Sequence, residues 1–427
     1  MMKNFPPLPH WAWLLFILAI LAILLLNVSM ATAANFPQRD SSRVEHPFPQ
    51  QMVEKELEEA FQNQQEWPHQ LKKERRLTNF DHWNYSQKRH AFLSYYGAGF
   101  QQGFNAHRGT HSLNHSLGVF YKGTWLERAN YKMKVHGRVE QNSLLSGAST
   151  AQFSKYLGMF SAVNGFSASG HELSLEYLYV QILFFNDKLD ISIGKIDPLF
   201  STLFSSYSGW DRMTFFSKTL ASDPVPPIEA GFGVLMEYHL TDYLSIGAIR
   251  NNLEERNPIM DPASFFFGKG AVNTQGFLRF SLPSAKNRYS YHVLTYYQAE
   301  GLRQAEYPNR REKATGWAYV GNQEVAKNLI VAAKASRGWG SVDKYRAAYA
   351  LGLVKKAPFG KVGDQFGAGL MVNEGANAYA GKLEYGLDAY YKVYLRPWMT
   401  MSANFQAYYG FNHQMNYVPG IRIMLTY

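Results

Sequence analysis

The stretch 384-EYGLDAYYKVYLRPWMTMSANFQAY-408 decides how this chain folds. In its first half Tyr385, Leu387, Ala389, Tyr391, Val393 and Leu395 alternate with Glu384, Gly386, Asp388, Tyr390, Lys392 and Arg396. Pro397-Trp398 then turns the chain. On the way back Met399, Met401, Ala403, Phe405 and Ala407 alternate with Thr400, Ser402, Asn404, Gln406 and Tyr408. Successive side chains of a strand point to opposite faces, so each of these strands has one apolar and one polar wall. Such a hairpin fits a transmembrane barrel, with lipid outside and water inside. It equally fits one sheet of a soluble sandwich, and the length and loop pattern must decide.

Working back from this hairpin, period-two segments recur along the chain. They fall near 420–427, 399–408, 384–395, 363–372, 345–355, 328–336, 316–322 and 289–298. Earlier ones fall near 275–282, 243–250, 230–240, 189–197, 172–184, 130–140, 116–125 and 91–104. The connections alternate in length. Short turns sit at Asn186-Asp187, Thr241-Asp242, Arg396-Pro397 and Leu126 to Ala129, while long ones run 141–171, 198–229, 251–274 and 299–315. Short turns on one rim and long loops on the other are the pattern of an outer-membrane barrel. An even count of about sixteen strands implies a barrel wide enough for an aqueous channel. The last strand adds a second sign: Ile421, Ile423, Leu425 and the terminal Tyr427 alternate and end on an aromatic residue.

Composition agrees with an all-β membrane protein. The 427 residues include 29 Phe, 28 Tyr and 9 Trp but no Cys, which excludes a disulfide framework, a thiolate metal site and a cysteine nucleophile. The net charge of +10 comes from scattered basic residues with no basic arm and no nucleic-acid module, so an anionic membrane or solute is the better partner. Lys3, the apolar run Trp11 to Leu26 and Ala31-Thr32-Ala33 read as a signal peptide, residues 1–33, cleaved after Ala33. The alternative is an uncleaved anchor over Trp11 to Met30, just long enough to span. Residues 34–90 are polar and rich in Gln, Glu, Lys and Pro, with a short helical pattern (Met52, Leu57, Phe61) broken near Pro68. They read as a periplasmic linker, which leaves 91–427 for the barrel.

The alternation also names the inner wall. Over 130–140, Tyr131, Met133, Val135 and Val139 take the lipid side, so Lys132, Lys134, His136, Arg138 and Glu140 face inward. Charges on the lipid side would cost several kcal/mol near mid-membrane. By the same logic Arg279, Lys334, Arg346, Lys392, Arg396 and Arg422 point in, as do Glu172, Glu176, Glu237, Glu384 and Asp388. Cations outnumber anions on this wall. The groups either set selectivity and bind solute or simply keep the lumen wet. The long loop 198–229 carries Trp210, Asp211 and Arg212 among several Phe and Tyr. An aromatic face can stack on a pyranose ring while Asp and Arg take its hydroxyls, or the same rings can pack the loop against the wall. His107, His111 and His115 are spaced by four, but Gly109 interrupts them and no metal site is expected. The chain has no Gly-x-Ser-x-Gly, His-Glu-x-x-His or phosphate-loop pattern, so neither an enzyme nor a cofactor is expected.

Several of these segments resemble one family. Gly194-Lys195-Ile196-Asp197, then a long loop, then Pro224-Val225-Pro226-Pro227 and Gly231-Phe232-Gly233 resemble the carbohydrate-selective outer-membrane porins. So do Gly363-Asp364-Gln365-Phe366-Gly367-Ala368-Gly369-Leu370, Glu384 with Tyr390-Tyr391, Arg396-Pro397-Trp398, and Gln406-Ala407-Tyr408. The likeness covers roughly 172–427. It implies a Gram-negative barrel of about sixteen strands, monomeric or trimeric, inserted among outer-membrane lipids by the barrel-assembly machinery. It implies passive diffusion of carbohydrates and other small polar solutes. A general or anion-preferring pore is the alternative that the basic wall favours, and a barrel enzyme the more distant one.

Overall fold

The computed structural model describes residues 89–104, 110–128, 130–161, 172–198, 215–221, 230–253, 271–282, 290–303, 311–340, 345–359, 364–396 and 398–427. The proposed signal peptide and most of the 34–90 segment lie outside them. Sixteen strands succeed one another: β1 His90–Gly103, β2 Thr110–Arg128, β3 Tyr131–Gly147, β4 Glu172–Phe184, β5 Leu189–Ile196, β6 Gly231–Thr241, β7 Leu244–Leu253 and β8 Ala271–Phe280. Then come β9 Ser290–Arg303, β10 Arg311–Ala326, β11 Leu329–Trp339, β12 Tyr345–Lys356, β13 Gln365–Gly375, β14 Leu383–Arg396, β15 Met399–Tyr409 and β16 Met415–Thr426. Each pairs antiparallel with the next, and β1 closes on β16 through Tyr95↔Thr426 to Gln101↔Gly420. No sheet edge is left, which is what a β structure in lipid requires. Both ends of the barrel chain, the start of β1 and the end of β16, sit on the short-turn rim.

The alternation read from the sequence is the alternation seen. Along β15 Thr400, Ser402, Asn404, Gln406 and Tyr408 are buried, while Met401 and Phe405 on the other face are exposed. The outer wall is the exposed apolar one, as a lipid-facing barrel demands. Short turns are made by residues that tolerate left-handed backbone: Asn186 and Asp187 (φ 56° and 65°) between β4 and β5, and Asn328 (φ 62°) between β10 and β11.

Several strands run further than the periodicity indicates. The segment 316–322 grows to β10, 116–125 grows to β2, and 420–427 begins at Met415. The added ends carry polar residues on the inner wall, such as Ser112, Asn114 and Asn416, all fully buried. In an aqueous barrel a polar strand end is ordinary; by composition it looks like a loop.

One packing device occurs twice, on opposite sides of the ring. Tyr95 of β1 lies over Gly118 of β2, and Tyr297 of β9 lies over Gly316 of β10, each pair directly opposed in register. A Cβ on Gly118 would fall 2.4 Å from the Tyr95 ring, so glycine is what lets the ring lie flat on the strand. Five residues further along, Tyr121 covers Gly123 with its hydroxyl 2.8 Å from His90 Nδ1, and Tyr319 covers Gly321 with its hydroxyl 2.8 Å from His292 Nδ1.

Candidate functional site: the inner wall and the loops folded onto it

The lumen is not an empty cylinder. Two long loops carry short helices inward. The β3–β4 loop holds α1 (Thr150–Tyr156), started by a capping box in which Ser149 accepts from Gln152 N–H and Gln152 accepts from Ser149 N–H. Phe153 and Leu157 of this segment are fully buried. The β5–β6 loop holds α2 (Lys218–Ala221), and Phe215, Phe216 and Ser217 before it are fully buried too.

Both segments are fastened to the β13–β16 side. Phe160 and Ser161 N–H donate to the Glu384 carboxylate, Ser161 at 3.2 Å, and Asn373 Nδ2 donates to it at 3.4 Å. Asn416 Nδ2 donates to Leu157 C=O at 2.8 Å. Ser217 N–H donates to Asp388 Oδ2 at 2.7 Å, and Gln406 Nε2 donates to the same oxygen at 3.1 Å. Thr219 Oγ1 donates to Asn373 Oδ1 at 3.2 Å. Phe215 meets Tyr390 edge-on at 5.1 Å, and the Arg422 guanidinium sits 4.5 Å above the Phe216 ring. Small residues on the wall, among them Ala350, Gly352 and Gly369, make room for Phe215 and Leu220.

The ring position of these anchors matters. Strands β6 and β14 are eight positions apart in a ring of sixteen, so they are diametrically opposed. Sixteen strands tilted about 40° make a ring roughly 30 Å across. The Phe215–Ala221 part of the β5–β6 loop therefore docks on the far side of the ring from β6.

The opposite arc, β1 to β8, is held by ion pairs instead. Arg138 pairs with Glu140 beneath the Tyr95 hydroxyl and lies 5.1 Å from the Phe120 ring. Arg279 Nη1 donates to both Glu237 oxygens at 2.7 Å. Asp190 accepts from Gln181 Nε2 at 2.6 Å and from Ser192 Oγ at 3.3 Å. Buried charges need such partners, because an unpaired one costs several kcal/mol.

The residues singled out from sequence divide into groups. Lys132, Lys134 and Arg138 lie on the inner wall of β3; Lys132 reaches Glu127 (3.5 Å) and Asp187 (3.8 Å) at the short-turn rim. Lys134 is half-buried and forms no ion pair among the described residues. Glu384 and Asp388 are on the inner wall as the alternation implies, but their oxygens hold loop N–H groups. Lys392 is buried there, its Nζ 5.4 Å from the Tyr394 ring. Two expectations are corrected by bulges. Leu395 is an extra residue between Tyr394↔Thr400 and Arg396↔Met399, so Arg396 falls opposite outward Met399 and is exposed at the rim. Arg346 is the extra residue between Tyr345↔Gly375 and Ala347↔Glu374, and its guanidinium lies 2.5 Å from outward-facing Glu374. A third bulge, at Glu176, puts Tyr177 on the inner wall, which strict alternation misses. Trp210, Asp211, Arg212 and His107 lie outside the described residues. His111 and His115 are on the outer face, His111 bonded to Ser146 at 2.9 Å, and no metal-binding cluster occurs among the described residues. What reasoning from charge overlooked is the row of buried inner-wall amides, Gln101, Asn114, Asn142, Asn273, Gln275 and Gln406. Their even spacing on polar strand faces was the available sign.

No protein-family model matches the sequence, and neither does any curated protein. Solved structures do match in fold. OprB of Pseudomonas putida superposes with a TM-score of 0.65 at 14% identity, over 79% of this chain and 94% of that one. OmpF of Salmonella typhi, solved with daunomycin, superposes with a TM-score of 0.51 at 11% identity, over 79% of this chain and 98% of that one. The chain is a closed antiparallel barrel of sixteen strands that shares its fold with OprB and OmpF.

Proposed function

We propose that this chain is a porin of the bacterial outer membrane, exported through its signal peptide, and that it passes carbohydrates and other small polar solutes by diffusion. One observation carries the reading: a closed sixteen-stranded ring with an apolar outer wall and a polar inner wall, narrowed by two loops folded onto that inner wall. Such an arrangement selects by width and by what lines the passage. The fold shared with OprB and the family resemblance of residues 172–427 favour sugars as the solute. The inner-wall amides suit hydroxyl-bearing solutes, since each amide both donates and accepts. Trp210, Asp211 and Arg212 are the proposed sugar contact.

A second reading, an anion-preferring pore, is favoured by one feature. The buried inner-wall carboxylates are engaged by arginine, by side-chain amide and hydroxyl donors or by loop N–H groups, while Lys134 stays half-buried and forms no ion pair among the described residues. Single-channel recording separates the two. Sugar that blocks ion current saturably and weakly, with the block relieved several-fold by Trp210→Ala, supports the sugar pore, because a stacking face contributes about 0.5–1.5 kcal/mol. Clear anion preference with no sugar block at any concentration supports the other.

A further inference from the structure

Charges also sit on the wrong side of this barrel. On the outer face, near the long-loop ends of β7 to β13, stand Arg250, Lys313, Arg337 and Arg346, with Glu300 and Glu374 between them. Register fixes their direction. Arg250 lies opposite Val234 and Thr274, both exposed outward residues. Lys313 lies opposite Glu300, two residues beyond outward Gln298. Arg337 lies opposite Trp317 and Ala347, and Ala347 lies opposite Glu374. Lys313 Nζ is 2.8 Å from Glu300, while Arg346 and Arg337 reach Glu374 at 2.5 and 3.9 Å. Among the described residues four cations share two carboxylates there, so positive charge is in excess. Exposure is high: 71% for the Lys313 side chain and 44% for Arg346.

Among the described residues the outer face of β14 to β16 carries no such charges. At the same long-loop level it presents Tyr385, Ala407, Tyr409 and Tyr417. Hydrocarbon would penalise the β7–β13 charges heavily, so that arc must meet polar groups rather than acyl chains. The long-loop rim is the outward one in an outer-membrane barrel, and this step rests on the porin reading above. Guanidinium and ammonium groups in excess at headgroup depth match phosphate, which arginine holds through paired N–H donors.

We infer that the outer face of β7–β13 is a docking surface for a phosphorylated glycolipid of the outer leaflet, gripped by Arg250, Lys313, Arg337 and Arg346. The test uses the full chain in detergent, incubated with bis-phosphorylated lipid A or its dephosphorylated form, with bound lipid counted by native mass spectrometry. The phosphorylated lipid should bind about tenfold more tightly. Arg250→Gln/Lys313→Gln should abolish that preference, whereas Lys188→Gln/Lys355→Gln, the same charge loss near the opposite rim, should keep it. Lys313→Gln alone, the milder change, should give an intermediate preference. Equal binding of the two lipids by the native chain overturns the inference. So does full preference in Arg250→Gln/Lys313→Gln, or complete displacement by inorganic phosphate in modest excess. Channel formation in bilayers is read separately: its absence would count against the porin reading, and loss of lipid preference in a conducting barrel only against the docking surface.

Discussion

The inner walls of β1–β8 and β13–β16 are built from the same residue types on the same face of the same kind of strand, yet they do different work. On β1–β8 each buried carboxylate faces a cation or an amide: Glu140 with Arg138, Glu237 with Arg279, Asp190 with Gln181. On β14 two carboxylates four residues apart, Glu384 and Asp388, meet no arginine in direct contact among the described residues but backbone N–H groups of loops that start on other strands. The difference teaches that parity places a charged group in the lumen without saying whether solute will meet it. A carboxylate that accepts two or three N–H bonds is a fastener, and the wall it belongs to is covered.

The largest effect should come from breaking an ion pair on the β1–β8 arc. Arg279→Leu leaves the Glu237 carboxylate buried without its bidentate partner, at a cost of about 3–5 kcal/mol. Heat-modified gel mobility and circular dichroism should show a clearly lower unfolding temperature. An unchanged temperature would mean that water already serves Glu237.

Next in size are the fasteners. Asp388→Asn and Glu384→Gln keep shape but weaken charge-assisted bonds, about 1–3 kcal/mol each. The barrel should stay folded while the open pore grows noisier and more conductive, most of all in the double variant, as the loops leave the wall. If conductance and noise match the native chain, the loops are held by Phe215, Phe216 and Phe153 packing alone.

Smaller still is the electrostatic effect of the half-buried lysines. Lys132→Gln/Lys134→Gln should lower anion preference measured from reversal potentials, and the native preference should fade in concentrated salt as the screening length shrinks. The smallest effect belongs to Arg396. Exposed at the rim beyond a bulge, it should be replaceable by Gln with ion selectivity unchanged, and a shift as large as that of Lys134 would return it to the channel wall.

Much of this architecture is legible in the sequence because a barrel is period-two throughout. Every one of the sixteen strands has its counterpart in the alternation, and the long connections after β3, β5 and β7 give their direction. Three things are not legible. Bulges at Glu176, Arg346 and Leu395 each add one residue and reverse the facing of the residues after it, and nothing in local composition announces them. Strand ends such as His111 to Ser116 read as loop because their inner face is polar. The infolding of the two loops depends on partners more than 150 residues away, as Ser217 with Asp388 and Ser161 with Glu384 show. The alternation therefore finds Glu384 and Asp388, but as lining rather than as anchors.

Incorporation into a planar bilayer tests the central claim most directly. Purified chain should insert in discrete steps of ohmic conductance, remain open without any energy source, and admit sugars in a liposome-swelling assay at rates that fall with solute size. A folded, heat-modifiable barrel that yields no conductance steps and leaves liposomes unswollen would contradict the account of a diffusion pore.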